Sequence, residues 1–191
     1  GYCGGGLGQR GNDVTFIAGG ATLEALRANG LRVDSPLGDF TIASVNATDD
    51  PASVGKVDAI LMAVKAWQIP EAAARIPPML GDETMVVPLE NGIDAPEVLS
   101  AIVGPQHVVG GLCAIVSFSV APGHIRHAAV DPMVMFGELD QRRSDRVERL
   151  RAAFAAAGVN AEIPPATARC RSATSVLTAT LSRTWPPDRL P

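Results

Sequence analysis

The stretch VDAILMAVKAWQ, residues 57–68, decides how this chain folds. Val57–Val64 is an almost unbroken apolar run. A strand with one wet face alternates apolar and polar residues, so a run without alternation reads as a parallel strand covered on both faces. Lys65 stands at its carboxyl end. A helical segment follows over Gln68–Leu80, with Pro70 tolerated in its first turn and Pro77-Pro78 ending or kinking it. Thr84–Leu89 (TMVVPL) is a second buried strand, followed by Glu90-Asn91-Gly92 and a helix over Asp94–Val103 that Gly104 stops. Strand and helix in alternation imply an α/β domain with a parallel sheet.

Outward from this centre the same logic holds. Val14–Ala18 is a short buried strand, and Ala21–Asn29 a helix with Leu23 and Leu26 inward and Gly30 as its stop. LRVDSPLGDFTIASV (31–45) reads as a hairpin turning at Pro36–Asp39. Strands are expected over Val108–Val120, His124–Val130 and Met133–Gly137, with Ala121-Pro122-Gly123 as a turn. Ser144–Ala157 is an amphipathic helix, N-capped by Ser144, with Val147, Leu150, Phe154 and Ala157 in one stripe. Gly158 stops it, and Asn160–Ile163 is a last strand. Residues 164–191 break the pattern: four arginines face one aspartate among Pro, Ser and Thr, with no helical stripe. The expected division is an α/β domain over 1–163 and an irregular tail over 164–191.

Composition narrows the function classes. The 191 residues carry a net charge of −4 and no Lys/Arg cluster, whereas nucleic-acid binding needs a basic face. No apolar run approaches the ~20 residues of a membrane span. No signal peptide is read, and the first residue, Gly rather than Met, fits a processed chain or a fragment. Cys3, Cys113 and Cys170 are odd in number and widely spaced, which suits a reducing cytoplasm better than a disulfide framework or a metal site.

Gly6-Leu7-Gly8-Gln9-Arg10-Gly11 matches the G-x-G-x-x-G pattern of a dinucleotide loop. A working loop follows a strand and opens a helix. Here only five residues precede the pattern and a strand follows it, so the stretch reads instead as a helix end and a turn. Lys65 and Asn91, at the ends of successive buried strands, lie where open α/β sheets bind ligands. A cation there can meet a phosphate or carboxylate, and an amide can meet a hydroxyl or carbonyl. Spacing alone leaves open a solvated strand end and a plain turn. His124 and His127 sit three apart in an expected strand and face opposite sides, which disfavours a metal site. Asp49-Asp50 before Pro51 reads as a turn, and Trp185-Pro186-Pro187 as tail.

V-K-A-W-Q, P-L-E-N-G, V-V-G-G-L-C and P-G-H-I-R-H together resemble the N-terminal half of the ketopantoate reductase (2-dehydropantoate 2-reductase) family. D-V-T-F-I-A, L-E-A-L-R-A-N-G-L-R-V and S-P-L-G-D-F extend the resemblance over about Gly1–Glu162. It implies a Rossmann-type domain and an NADPH-dependent reduction of the 2-keto acid ketopantoate to pantoate, toward pantothenate and coenzyme A. It assigns Lys65, Asn91 and Val116 to cofactor contact, and Asn91 also to substrate.

The departures from that family shape the expectation. Its first strand and glycine loop fall directly upstream of the position matching Gly1-Tyr2. Gly19 stands where an arginine often suits the 2′-phosphate of NADP. The helical C-terminal domain, with its proton-donating lysine, is not matched after Ile163, so no catalytic acid is assigned. Gly1–Arg10 matches the first helix, weakened by three successive glycines at roughly 1 kcal/mol each relative to Ala. The expected fold is thus an incomplete Rossmann-type domain with a mostly parallel sheet. Its first strand would lie between VTFIA and VDAILMAV, and without it the remaining strands would pair differently or hold marginally. The expected behaviour is an inactive fragment of a reductase. The alternatives are a nucleotide- or partner-binding module, or another NAD(P)-dependent hydroxyacid dehydrogenase.

Overall fold

The computed structural model describes residues 1–90, 94–128 and 131–164. In chain order the elements are α1 (Tyr2–Gln9), β1 (Thr15–Ile17), α2 (Gly20–Asn29), β2 (Leu31–Asp34), β3 (Phe40–Ile42) and β4 (Asn46–Thr48). Next come β5 (Val57–Met62), α3 (Ile69–Ala73), β6 (Leu80–Pro88), α4 (Ala95–Val103) and β7 (Val109–Ala114). The last are β8 (Ser117–Ala121), β9 (His124–His127), β10 (Met133–Glu138), α5 (Asp145–Ala156) and β11 (Asn160–Glu162).

β6 shows why the sheet is covered on both faces. Successive strand residues point to opposite sides. Met85 and Val87 enter a core with Cys3 and Leu7 of α1 and Val147, Leu150 and Phe154 of α5. Val86, between them, enters a second core with Ile69 and Ala73 of α3 and Leu99 and Val103 of α4. The ladders follow from this layering. β5 and β6 pair in parallel, and β6 continues to β7 through a parallel bridge, Val86 to Val108. β10 runs antiparallel to β7 and parallel to β11. β1 pairs in parallel with β4. The expected hairpin forms as β2–β3, and β9, parallel to β2, joins it to β8.

The strands keep the pairings of a doubly wound sheet, not rearranged ones. Among the described residues no ladder joins β1 to β5, the position that the resemblance gives to a further strand. β1 pairs with β4 alone among the described residues, and Ile17 at its end stays 44 % exposed.

α1 forms despite its glycines because they let it lie against the sheet. A Cβ on Gly5 would stand 2.7 Å from Leu31 Cδ2, and one on Gly4 would stand 3.0 Å from Phe16. The helix then ends as the sequence suggests: Arg10 and Gly11 close a turn, and the Asn12 side chain donates to the Leu7 carbonyl at 3.0 Å. Gly6 and Gly8 are therefore helical residues, not a phosphate loop.

Two expected elements are shorter. The helix over 68–80 divides into a 3-10 turn (Ala66–Gln68), α3 and a second 3-10 turn (Pro77–Met79). Tight i→i+3 bonds at Arg75 and Ile76 end α3 just before Pro77-Pro78, which cannot continue an α-helical ladder. The stretch 108–120 breaks at Ile115-Val116 into β7 and β8. Ser144 caps α5, its Oγ accepting from the Val147 N–H. The expected tail from 165 onward lies outside the described residues.

Candidate functional site

β5, β6 and β7 run in one direction, so their carboxyl ends share an edge of the sheet. The Leu89 N–H donates to the Met62 carbonyl at 2.8 Å, so β6 stays joined to β5 just beyond the Met62–Pro88 pair. Beyond this bond the chains diverge into Lys65 on one side and Glu90 on the other. β7 sits close to β6 because residue 111 has no side chain: a Cβ on Gly111 would stand 2.2 Å from the Pro88 carbonyl oxygen.

Lys65 is fixed at its backbone and free at its head. Its N–H donates to Gln68 Oε1 at 3.1 Å and its carbonyl accepts the Gln68 N–H at 2.8 Å. The side chain is exposed and has no ion-pair partner among the described residues. Trp67, 78 % exposed, stands in the same turn. Val116 is half-buried past the end of β7, and its carbonyl accepts from the Ala128 N–H at 2.8 Å. Asn91 falls outside the described residues. The sheet topology thus brings Lys65 and Val116 to one edge. Two shallow depressions lie elsewhere, one lined by Arg32, Asp39, Phe40 and Thr41, the other by Gly8, Asn12, Phe16 and Asn46.

Three features escape a reading of the sequence. Glu90 precedes Asn91, and both its carboxylate oxygens are buried with no hydrogen-bond partner among the described residues. Burial pushes its carboxyl above the usual range. An acid at the end of an apolar strand was the available signal. Cys3 and Cys113, far apart in the sequence, both pack into the core that α1 and α5 form against the sheet. Glu138 and Arg146, buried together at the amino end of β7, where Glu138 pairs with Val109, form a two-pronged ion pair with both contacts at 2.7 Å. The histidines take separate partners: His124 Nε2 meets Asp34 Oδ2 at 2.8 Å, whereas His127 Nδ1 meets Ser35 Oγ at 2.9 Å.

Parallel strands with helices on both faces, and candidate binding residues beyond their carboxyl ends, define a Rossmann-type α/β unit. The chain belongs to the ketopantoate reductase PanE/ApbA family, whose profile matches residues 1–141. It is 31 % identical over 167 residues to a 2-dehydropantoate 2-reductase of Nostoc sp., covering 85 % of this chain and 52 % of that protein. It is 33 % identical over 165 residues to an uncharacterized oxidoreductase of Bacillus subtilis, covering 85 % and 52 %. The structure of 2-dehydropantoate 2-reductase from Geobacter metallireducens superposes with a TM-score of 0.83 at 30 % identity, covering 89 % of this chain and 56 % of that one. The chain spans about half the length of the curated relatives it matches.

Proposed function

We propose that this chain is the nucleotide-binding part of an NADP(H)-dependent reductase of a small 2-keto acid, ketopantoate, serving pantothenate and coenzyme A synthesis. One observation carries the reading: an exposed lysine, without an ion-pair partner among the described residues, whose backbone is held by two hydrogen bonds with Gln68 at the common carboxyl edge of β5, β6 and β7. Such a cation suits the phosphate or ribose side of a dinucleotide, and Val116 on the same edge offers apolar contact. In the family pattern the Asn91 amide reaches both cofactor and substrate. When bound, NADPH supplies the hydride that reduces the keto carbon. Lys65, Asn91 and Val116 bind and orient; residues 1–164 include no assigned proton donor, so binding without turnover is the expected behaviour. We place the protein in a reducing cytoplasm, free of nucleic acid and membrane. No helix among the described residues is long and apolar enough to cross a membrane.

Trp67 reports on the site. With Trp185 replaced by Phe, NADPH is titrated against indole emission, with ketopantoate turnover followed separately. Saturable quenching is expected, with a Kd above micromolar, and no turnover. Lys65→Ala should weaken binding roughly tenfold to a hundredfold, the value of a hydrogen bond to a charged group, about 1.5–3 kcal/mol. Equal affinity of Lys65→Ala and the parent would refute the assignment. Turnover would establish a complete enzyme and refute the binding-only behaviour.

A further inference from the structure

β8 is the outer strand of the sheet ordered β3-β2-β9-β8, and all five of its residues are exposed. Its sequence, SFSVA, carries no charge. The outer strands β3, β4 and β11 are three residues each; short strands and charged side chains are the usual protection of a sheet edge. β8 also reverses the patterning of its sheet. On its neighbours Leu31, Val33 and Ile125 face the core, and Arg32, Asp34, His124 and Arg126 lie on the opposite face. In register with them, Ser119 continues the core row of Val33 and Ile125, whereas Phe118 continues the outer row of Asp34 and Arg126. Phe118 is 48 % exposed there, an aromatic on the face that its neighbours give to charge. We propose that β8 is a self-association edge, to which a second copy of this chain adds its own β8, antiparallel, about a two-fold axis. The proposal stands on the strand geometry and does not rest on the nucleotide-binding reading.

The hairpin bonds decide which backbone groups the edge offers. The Ala128 N–H donates to the Val116 carbonyl at 2.8 Å, in the register that also pairs Phe118 with Arg126. Antiparallel pairs alternate between bonded and non-bonded ones. Val116 and Phe118 therefore direct their backbone groups at β9, and Ser117 and Ser119 turn theirs outward. The outward groups have no partner among the described residues.

A two-fold axis at Phe118 satisfies all of these groups. Ser117 of each copy exchanges both its backbone bonds with Ser119 of the other. Phe118 then meets Phe118 of the second copy in a non-bonded pair, with Cα atoms about 4.5 Å apart, the arrangement that brings side chains closest. One surface serves both copies, as an isologous dimer requires. Charge does not oppose the contact. Arg126, next to Phe118 in its row, pairs with Asp34 at 3.6 Å. The two copies of Arg126 stand three strand spacings apart, about 14 Å, beyond the screening length of about 8 Å at physiological salt. The bulge between Ser119 and Ala121 limits the pairing, and Ser119 Oγ already donates to the Ala121 carbonyl at 3.0 Å. A contact this short does not reach the roughly 1,200 Å² of a stable interface, so the dimer is weak and forms as concentration rises.

The full chain is studied by sedimentation equilibrium under reductant, so that no disulfide contributes. Its mass should rise from 19.8 kDa toward twice that value between about 20 µM and about 1 mM chain, as mass action requires. Over the same range amide exchange at Ser117 and Ser119 should slow severalfold, while exchange at Phe118 and Arg126, already bonded within the hairpin, should not change. Phe118→Asp sets two carboxylates opposite each other at the axis and should stay monomeric throughout. A parent chain that stays monomeric, a dimer that leaves exchange at Ser117 and Ser119 unchanged, or a Phe118→Asp variant that associates as well as the parent would overturn the proposal. The exchange measurement on the unsubstituted chain keeps the test valid if the variant fails to fold.

Discussion

Replacing Arg146 by Met should destabilise the fold severely, and the structure sets the scale. Arg146 is 6 % exposed and Glu138 4 % exposed. The guanidinium makes two contacts of 2.7 Å with the carboxylate and a third, at 3.0 Å, to the Gln106 carbonyl. Ser144 Oγ adds a bond of 2.6 Å to the same carboxylate while capping α5. One buried pair thus joins the end of β10, the start of α5 and the turn before β7. Methionine keeps much of the side-chain volume but removes the cation, which leaves the buried carboxylate without its two guanidinium contacts. Breaking a buried pair in this way costs about 3–5 kcal/mol, against a total domain stability of roughly 5–15 kcal/mol. With an m-value of about 1–3 kcal/mol/M, the urea midpoint should fall by at least about 1 M. The double variant Glu138→Leu/Arg146→Met removes both charges and should recover most of the loss, because the penalty comes from burying a carboxylate without its countercharge and not from the missing attraction. Circular dichroism during urea titration reads both. A single variant within 1 kcal/mol of the parent, or a double variant no better than the single, would refute the reasoning.

Two carboxylates should give opposite pH slopes. Burial pushes Glu138 up, but Arg146 and Ser144 together hold it below its ordinary value. Its stabilising contribution is therefore present above the unfolded carboxylate range and is lost as pH falls through the lowered folded value. Glu90, raised by burial, has the reverse sign: its contribution is present at acid pH and is lost as pH rises from the ordinary glutamate range through the raised folded value. Urea midpoints between pH 3 and 8 should show Glu138→Gln converging on the parent at acid pH and Glu90→Gln gaining on it toward neutral pH. Parallel curves would contradict both assignments. For α1, Gly6→Ala should raise the melting temperature, since its Cβ meets nothing nearer than 3.7 Å and helix propensity favours Ala by about 1 kcal/mol. Gly5→Ala should not, because Leu31 stands 2.7 Å from the new methyl. Equal gains at both positions would mean that the glycines are not there for close packing.

The parts of the fold visible in the sequence were those with local causes. VDAILMAV and TMVVPL are apolar along their whole length because both faces are covered, and they became β5 and β6. Gly30, Gly104 and Gly158 stop helices by adopting positive φ, and Ser144 caps one through its own hydroxyl. The helix over 68–80 was overestimated because apolar spacing persists through Pro77-Pro78 while the backbone bonds do not. α1 was underestimated for the opposite reason. Propensity counts what a glycine costs the helix, not what a missing Cβ permits against Phe16, Leu31 and Phe40, which lie on strands outside it.

The candidate site divides along the same line. The position of Lys65 was legible because whatever polar residue follows an apolar parallel strand arrives at that strand's carboxyl end, where open α/β sheets bind ligands; its contact with a cofactor is the proposal that the titration tests. Nothing in the apolar pattern marks Glu138 with Arg146. That pair depends on α5 turning back onto β10, which the Ser144 cap directs, its Oγ reaching both the Val147 N–H and the Glu138 carboxylate. At the carboxyl edge the approach of β7 to β6 depends likewise on a small residue, because a Cβ on Gly111 would meet the Pro88 carbonyl oxygen. The geometry of the sheet is thus set as much by Gly5, Gly111 and Ser144, which let or direct elements together, as by the side chains those elements carry.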